Sequence, residues 1–381
     1  MKQTASFIST YSADVFGVCS ALFELGGMTI MHDASGCNST YSTHDEPRWY
    51  DMESMVYISG ISEMEAIMGD DEKLIADIVR DAKTLRPNFI AIAGTPIPAM
   101  TGFDFTAVAE VIESKTGIPA FGFATTGMDT YIKGAGMAFE RIAKRFSDRN
   151  ISKTDKPSAN ILGLTPLDFS VNGEDKSVAS WLRSAGFELN VALAMGCSFE
   201  DLKKLGAAHV NLVVSACGLP AAKTLEKLFG TPYVLGLPVA GEYSGRLAQR
   251  LLFAAETGKS FASQGLLEAS RSGVAVIGEG VRSLSLAEAI KLNIGKNAYC
   301  VCAAEFSAPY LRECDITAPD EDEIIEAIAP ADTVIADPLY KPIVPSGKRF
   351  IPLPHEAFSG RIFRKDIPDL VKDFGAFVKL L

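Results

Sequence analysis

Two cysteines near the start of the chain stand where thiolate chemistry is possible. Cys19 falls in a helix-like stretch, residues 13–25. Cys37 falls in the polar run Asp33-Ala34-Ser35-Gly36-Cys37-Asn38-Ser39-Thr40, directly after a strand-like segment at 28–32. In an open α/β sheet, ligands collect outside the carboxyl ends of the strands. A thiol held there by a tight turn is placed to bind metal rather than to fill a core. Cys19 admits two readings, ligand or small buried apolar residue, because free cysteine is among the most buried residue types. The loop 93–98 follows the next strand, 88–94, and should face the same site. Its Gly94-Thr95-Pro96 reads by itself as turn chemistry.

Other candidates follow later strands. Cys197 and Cys217 each come after a strand-like run, so both should lie on the functional edge of their sheet. His355, in PHEAFSG, follows the strand 349–353; by itself it reads as a surface or hydrogen-bonding residue. Cys300 and Cys302, in AYCVCAAE, fall two apart on a strand, hence on one face, and read as packing. Cys314 has no informative context. His32 and His44 flank the Cys37 loop with an orienting or surface role, and His209 belongs to a helix-to-strand turn. Arg48, Trp49 and Tyr50 form a polar-aromatic segment suited to a partner surface.

The elements that position these residues alternate. Apolar, β-rich runs occur at 28–32, 88–94, 120–123, 160–164, 188–193, 210–215, 233–236, 274–278, 298–302, 333–336 and 349–353. Helical patterns lie between them, including 72–85, 105–115, 176–185 and 221–229. Such alternation predicts βαβ units with right-handed crossovers. Polar seams at 147–158 and 257–272 read as linkers. They divide the 381 residues into three units: 1–155, with Cys19 and Cys37, then 156–264 and 265–381. The expected class is α/β, three Rossmann-like doubly wound domains with mainly parallel sheets. Gly278-Glu279-Gly280 is the nearest approach to GxGxxG, and no GxxxxGK[ST] loop occurs, so ATP binding by that device is not expected.

The formal charge of −11, without a basic cluster, disfavours nucleic acid. No apolar run is long enough to span a membrane, and no secretory leader pattern opens the sequence. Seven irregularly spaced cysteines fit reduced thiols or metal in a cytoplasmic protein better than a disulfide framework.

The order of Cys19, Gly36-Cys37, IMGDDEKL (67–74), GTPIPAMTGFDF (94–105) and GIPAFGF (117–123) resembles the nitrogenase component 1 superfamily. The likeness continues through NILGLTPLDF, LRSAGFELNVAL, AAHVNLVVSACG, LEKLFGTPYVLGLPVAG, VAVIGEG, ADTVIADP and PLPHEAFSG, covering nearly the whole chain. The superfamily includes molybdenum–iron protein subunits, cofactor scaffolds, the dark-operative protochlorophyllide and chlorophyllide reductases, and the reductive cyclase of coenzyme F430 synthesis.

The resemblance implies three cysteines ligating an iron–sulfur cluster at a subunit interface. Cys19 matches the first and Cys37 the second, whereas Thr95 stands in the loop of the third. Three thiolates from each of two subunits suit an eight-iron cluster. Two from each suit a [4Fe–4S] cluster, which takes four thiolates. The expectation is therefore a [4Fe–4S] cluster shared across a homodimer, or a heterodimer with a related subunit.

The resemblance also implies a cleft among the domains. In nitrogenase a cysteine holds one end of its cofactor; Cys217 lies close to that position and Ser215 nearer. A histidine in an H-x-x-x-x-S-G context holds the other end, and His355 resembles it with one residue deleted. Other members place a tetrapyrrole there without protein ligation, which makes Cys217 and His355 proton donors or lining residues. A second metal centre and a tetrapyrrole both stay open. The implied function is the electron-accepting component of an ATP-dependent two-component reductase served by an iron protein-like ATPase. A cofactor-assembly scaffold and a cluster-free α/β ligand-binding protein are the alternatives.

Overall fold

The structure is a computed structural model describing residues 5–36, 38, 41, 46–261 and 270–381. Cys37, His44 and the division at 264–265 lie outside the described residues.

Three separate sheets carry the chain, and every strand pairing within them is parallel. The first contains β1 (Met28–His32), β2 (Met55–Ile58), β3 (Ile90–Gly94) and β4 (Ala120–Phe123), in the order β2-β1-β3-β4. Its helices are α1 (Asp14–Leu22), α2 (Glu63–Met68), α3 (Glu72–Leu85), α4 (Pro96–Thr101), α5 (Phe105–Thr116) and α6 (Tyr131–Phe146). The middle sheet contains β5 (Ser158–Leu164), β6 (Glu188–Ala194), β7 (Val210–Val213) and β8 (Tyr233–Leu235), in the order β6-β5-β7-β8. It is accompanied by α7 (Pro166–Phe169), α8 (Glu174–Ser184), α9 (Leu219–Phe229) and α10 (Glu242–Thr257). The third contains β9 (Gly273–Gly278), β10 (Ala298–Cys302), β11 (Ile316–Thr317), β12 (Ala331–Ala336) and β13 (Arg349–Pro352), in the order β11-β10-β9-β12-β13. Its helices are α11 (Gly280–Ile294), α12 (Glu321–Ile328), α13 (Gly360–Phe363) and α14 (Leu370–Val378).

The central strands read as unbroken apolar runs because helices cover both faces of a parallel sheet. β1, β3, β5, β7 and β10 are buried at every position. The two strands that sequence patterning misses, β2 and β11, are short edge strands with partly exposed residues. One side of an edge strand faces water, so the apolar run that identifies a central strand is absent.

The cores run across the sheets. One apolar cluster joins Val18, Leu22 and Phe139 to Leu162, Val213 and Leu225. A second joins Val178 and Leu247 to Leu286 and to Phe374 of α14. The segment before α1 straps the first sheet to the third. The backbone N–H groups of Ser6, Phe7 and Ile8 all donate to Glu321 Oε2, and Ser12 N donates to Ala357 O at 2.7 Å. No helix among the described residues is long and apolar enough to cross a membrane.

Candidate functional site

Each sheet reverses its strand order at one point: between β1 and β3, between β5 and β7, and between β9 and β12. Such switch points open a crevice outside the carboxyl ends of the strands. The loops leaving these strands carry the polar residues of the site.

At the first switch point, His32 of β1 is level with Gly94 of β3, so the two following loops do meet. Thr95 Oγ1 lies 2.8 Å from His32 O and 3.0 Å from Asp33 Oδ1, and Asn38 Nδ2 donates to Asp33 Oδ2 at 2.5 Å. The Thr95 hydroxyl thus ties the two loops together. His32 Nδ1 lies 2.8 Å from Ser59 Oγ, and burial lowers its pKa to about 4, which keeps the ring neutral.

Cys19 is fully buried on α1, and burial, with the charge of Glu46, pushes its thiol far up. The Tyr41 ring stacks on Phe16 at 5.0 Å, one turn before Cys19. Tyr41 therefore packs on the face of α1 that carries Phe16. Among the described residues no group of three or more His, Cys, Asp or Glu is arranged to hold a metal ion.

The second and third switch points converge on Asp168. It lies on α7, directly after β5, and is buried. Tyr131 OH, at the start of α6, donates to its Oδ1 at 2.5 Å, and His355 Nε2 lies 3.2 Å from the same oxygen. On the other oxygen, Thr165 Oγ1 lies at 3.5 Å and Cys217 Sγ at 4.0 Å. Cys217 also lies 3.3 Å from Ser215 Oγ. One carboxylate thereby joins residues from all three sheets. Burial raises its pKa, but the bonds and charge of His355, with bonds from Tyr131 and Ser215, outweigh this and hold it below the ordinary range.

Glu279 follows β9. Its Oε1 accepts Ala216 N at 2.8 Å and Val281 N at 3.1 Å, and its Oε2 accepts Arg282 N at 2.8 Å. Burial first, then the nearby Asp168 charge, push its pKa up from 4.5 to about 7. A carboxyl raised on folding stabilises fully below its unfolded value, and this stability is lost as pH rises through the folded value. Between pH 4.5 and 7 the loss is on the order of 3 kcal/mol. Urea unfolding at pH 5 and pH 8 is therefore expected to fall more steeply for the parent chain than for Glu279→Gln; parallel pH curves would refute the assignment.

Asp337 follows β12 and fixes the histidine turn. Its Oδ2 accepts His355 N at 2.8 Å and the Ser359 hydroxyl, while Leu339 N donates to its Oδ1. His355 Nδ1 is buried with no hydrogen-bond partner among the described residues.

The fold brings Cys217 and His355 onto a single carboxylate. It does not bring Cys197 there. That residue leaves β6, the edge strand on the far side of β5 from the switch point, and its thiol donates to Ser198 O at 3.4 Å in an apolar surround. Cys300 and Cys302 share a face, Sγ to Sγ 3.3 Å, packed with Leu284. His209 accepts from Ser158 N in the turn before β7. Arg48 is a correction: it is buried under α1 rather than surface-exposed, and only Tyr50 of its segment is fully exposed. Sequence patterning passes over Asp168, Glu279 and Asp337, although each is an acid within five residues of a predicted strand end. Tyr131 carries no sequence signal.

A cleft of about 1240 Å³ opens beside this centre, lined by Ile8, Tyr11, Leu219, Lys223, Phe306 and Tyr340. Cys217 and His355 stand one layer behind its wall. The Tyr11 ring, 5.7 Å from that of His355, separates the cleft from a small void of about 20 Å³ lined by Glu279, Ser283, Asp337 and His355.

The family model "Nitrogenase component 1 type Oxidoreductase" matches residues 15–290, well over half of the chain. The chain belongs to this family. Its curated relatives include a subunit of the light-independent protochlorophyllide reductase of Chlorokybus atmophyticus, 29% identical over 45% of this chain and 35% of that protein. The corresponding protein of Cycas taitungensis is 30% identical over 48% of this chain and 38% of that protein. The chain spans about a third of the length of these relatives. Among solved structures, nitrogenase Cp1 at pH 5 superposes with a TM-score of 0.65 at 15% identity, covering 100% of this chain and 92% of that one. The likeness bears on fold: three doubly wound parallel sheets are common ground.

Of the two thiols that the resemblance offers to a cluster, Cys19 is the one among the described residues, and it is buried on α1. Thr95 is occupied in joining Asp33 to β1.

Proposed function

We propose that this chain is the electron-accepting, catalytic component of an ATP-dependent two-component reductase. An iron protein-like ATPase supplies the electrons. Cys19 and Cys37 of two chains, or of this chain and a related subunit, hold a [4Fe–4S] cluster where the subunits meet. Membership of the family carries this reading, and the Asp168 centre beside a three-sheet cleft supports it. When bound, the cluster supplies a one-electron relay between donor and substrate. Cys19, a buried thiol in the apo chain, gives up its proton on ligation, so metal binding releases protons.

The substrate lies in the cleft beside Tyr11 and is an unsaturated small molecule or a tetrapyrrole, the latter in keeping with the protochlorophyllide reductases among its relatives. Reduction consumes protons as well as electrons. His355 and Cys217 are the nearest proton-bearing groups on the Asp168 centre, and displacement of the Tyr11 ring brings His355 to the cleft.

Iron and acid-labile sulfide in anaerobically purified protein test the cluster. Roughly four iron atoms per two chains are expected, with an EPR signal on dithionite reduction. Both should be lost in Cys19→Ala and Cys37→Ala. Colourless, iron-free protein, or unchanged iron in Cys37→Ala, would sink the reading. A cluster without ATP-dependent reduction of protochlorophyllide or of any other unsaturated substrate tried, when an iron-protein partner is present, would point instead to a scaffold.

A further inference from the structure

We propose that Asp168 is the positioning residue of this centre: it holds His355 as the Nε2–H tautomer, so that Nδ1 is the ring atom offered to a donor group entering beside Tyr11. This rests on the reductase reading for its role in turnover, but the arrangement itself is independent of any cluster.

A neutral imidazole has one N–H and one lone pair, and the partner of one nitrogen decides the state of the other. Asp168 Oδ1 lies 3.2 Å from Nε2. A carboxylate accepts and does not donate, so the neutral ring must place its proton on Nε2. The carboxylate is itself fixed on its other sides. Tyr131 OH donates to Oδ1 at 2.5 Å, and Thr165 and Cys217 approach Oδ2. These groups come from α6, α7 and the loop after β7, while His355 comes from the third sheet, so the pair spans a boundary between sheets. The backbone of the histidine turn is pinned separately, by Asp337 accepting from His355 N and from Ser359. Ring orientation is therefore set at both ends.

The remaining nitrogen is the unusual one. Nδ1 is buried and has no hydrogen-bond partner among the described residues. A buried acceptor without a partner is costly, and its persistence in a polar centre argues for a use. His355 lines the 20 Å³ void together with Glu279, Ser283, Asp337 and Tyr11. A water needs a void of roughly 10–15 Å³ and two to four polar partners. The chemistry admitted there is a single hydrogen-bond donor, water or the polar tip of a ligand once Tyr11 moves aside. Protonated at Nδ1, the same ring becomes a donor toward the cleft while its Nε2–H bond to Asp168 is unchanged.

Long-range ¹H–¹⁵N spectroscopy of histidine-labelled full-length apo chain reads the tautomer directly. The chain has four histidines, and His355→Gln assigns the signal. At pH 8 the wild type should show a slowly exchanging, downfield proton on Nε2 and a pyridine-type Nδ1. Asp168→Ala should lose the protected proton and show both tautomers. Asp168→Asn, whose amide nitrogen can donate where the carboxylate only accepts, should likewise lose the single-tautomer signal. A proton on Nδ1 in the wild type, or a protected Nε2–H surviving in Asp168→Ala, overturns the proposal. Because the measurement needs no iron and no substrate, an iron-free preparation that shows the expected tautomer would sink the cluster reading and leave this one standing.

Discussion

Arg48→Met is expected to cost about 3–5 kcal/mol of stability, the range found when one partner of a buried ion pair is removed. Arg48 Nε donates to Glu46 Oε1 at 2.7 Å, Nη1 to Glu24 Oε1 at 2.9 Å, and Nη2 to Ser20 O at 2.7 Å. The guanidinium centre lies 4.7 Å from the Phe23 ring. Glu46 has no exposed side-chain surface, and its other oxygen accepts from Tyr41 OH at 3.0 Å. Methionine fills much of the arginine volume, so the loss is chiefly the stranded Glu46 charge rather than a cavity.

The site is affected because this network pins Tyr41, Glu46 and Arg48 against α1, on the side that carries Cys19. Urea unfolding followed by the fluorescence of Trp49, whose ring packs at 5.5 Å on Phe23, reports on this region. Combining Arg48→Met with Glu46→Gln should recover a large part of the loss, since the buried charge then goes too. A single-variant cost below about 1 kcal/mol, or strictly additive losses in the pair, would show that the ion pair is not what holds the segment.

Arg48 also shows why part of the site is hidden in the sequence. A Pro-Arg-Trp-Tyr run has the composition of a surface, and composition carries no record of Glu24, 24 residues earlier, closing over the guanidinium. Central strands are legible because parallel sheets covered on both faces demand unbroken apolar runs. Edge strands β2 and β11 are not, because only one side of each needs to be apolar. The strand-end rule puts Cys217 and His355 at the carboxyl ends of strands, and it would do the same for Asp168 and Glu279 if acids were weighed with cysteines. It misplaces Cys197, because position in the chain does not say whether a strand lies at the edge or beside the switch point. That Cys217 and His355 share one carboxylate is a property of how the three sheets are assembled.

The contact between α1 and α6, which sets Cys19 relative to Tyr131, rests on glycines that no periodicity reveals. A Cβ on Gly134 would lie 1.8 Å from Asp14 O and 2.6 Å from Asp14 C, and one on Gly17 would lie 2.1 Å from Tyr131 O. The obstructing atoms are backbone, so relief requires a whole helix to move. Gly134→Ala gains about 1 kcal/mol of helix propensity. Overpacking against rigid neighbours costs about 1–3 kcal/mol and occasionally more, and a 1.8 Å approach to backbone belongs at the upper end. The net expectation is a loss of about 2 kcal/mol or more, read as a lower urea midpoint with little change in slope. Gly375→Ala on α14 supplies the control: nothing lies within 4 Å of its Cβ position, so the propensity term acts alone and the change should stabilise by up to about 1 kcal/mol. In Gly134→Ala the shift of α6 also carries Tyr131 away from Asp168, so the protected His355 proton should exchange faster than in the parent. Equal stability of the two alanine variants would mean that α1 and α6 are not held at the separation the glycines imply.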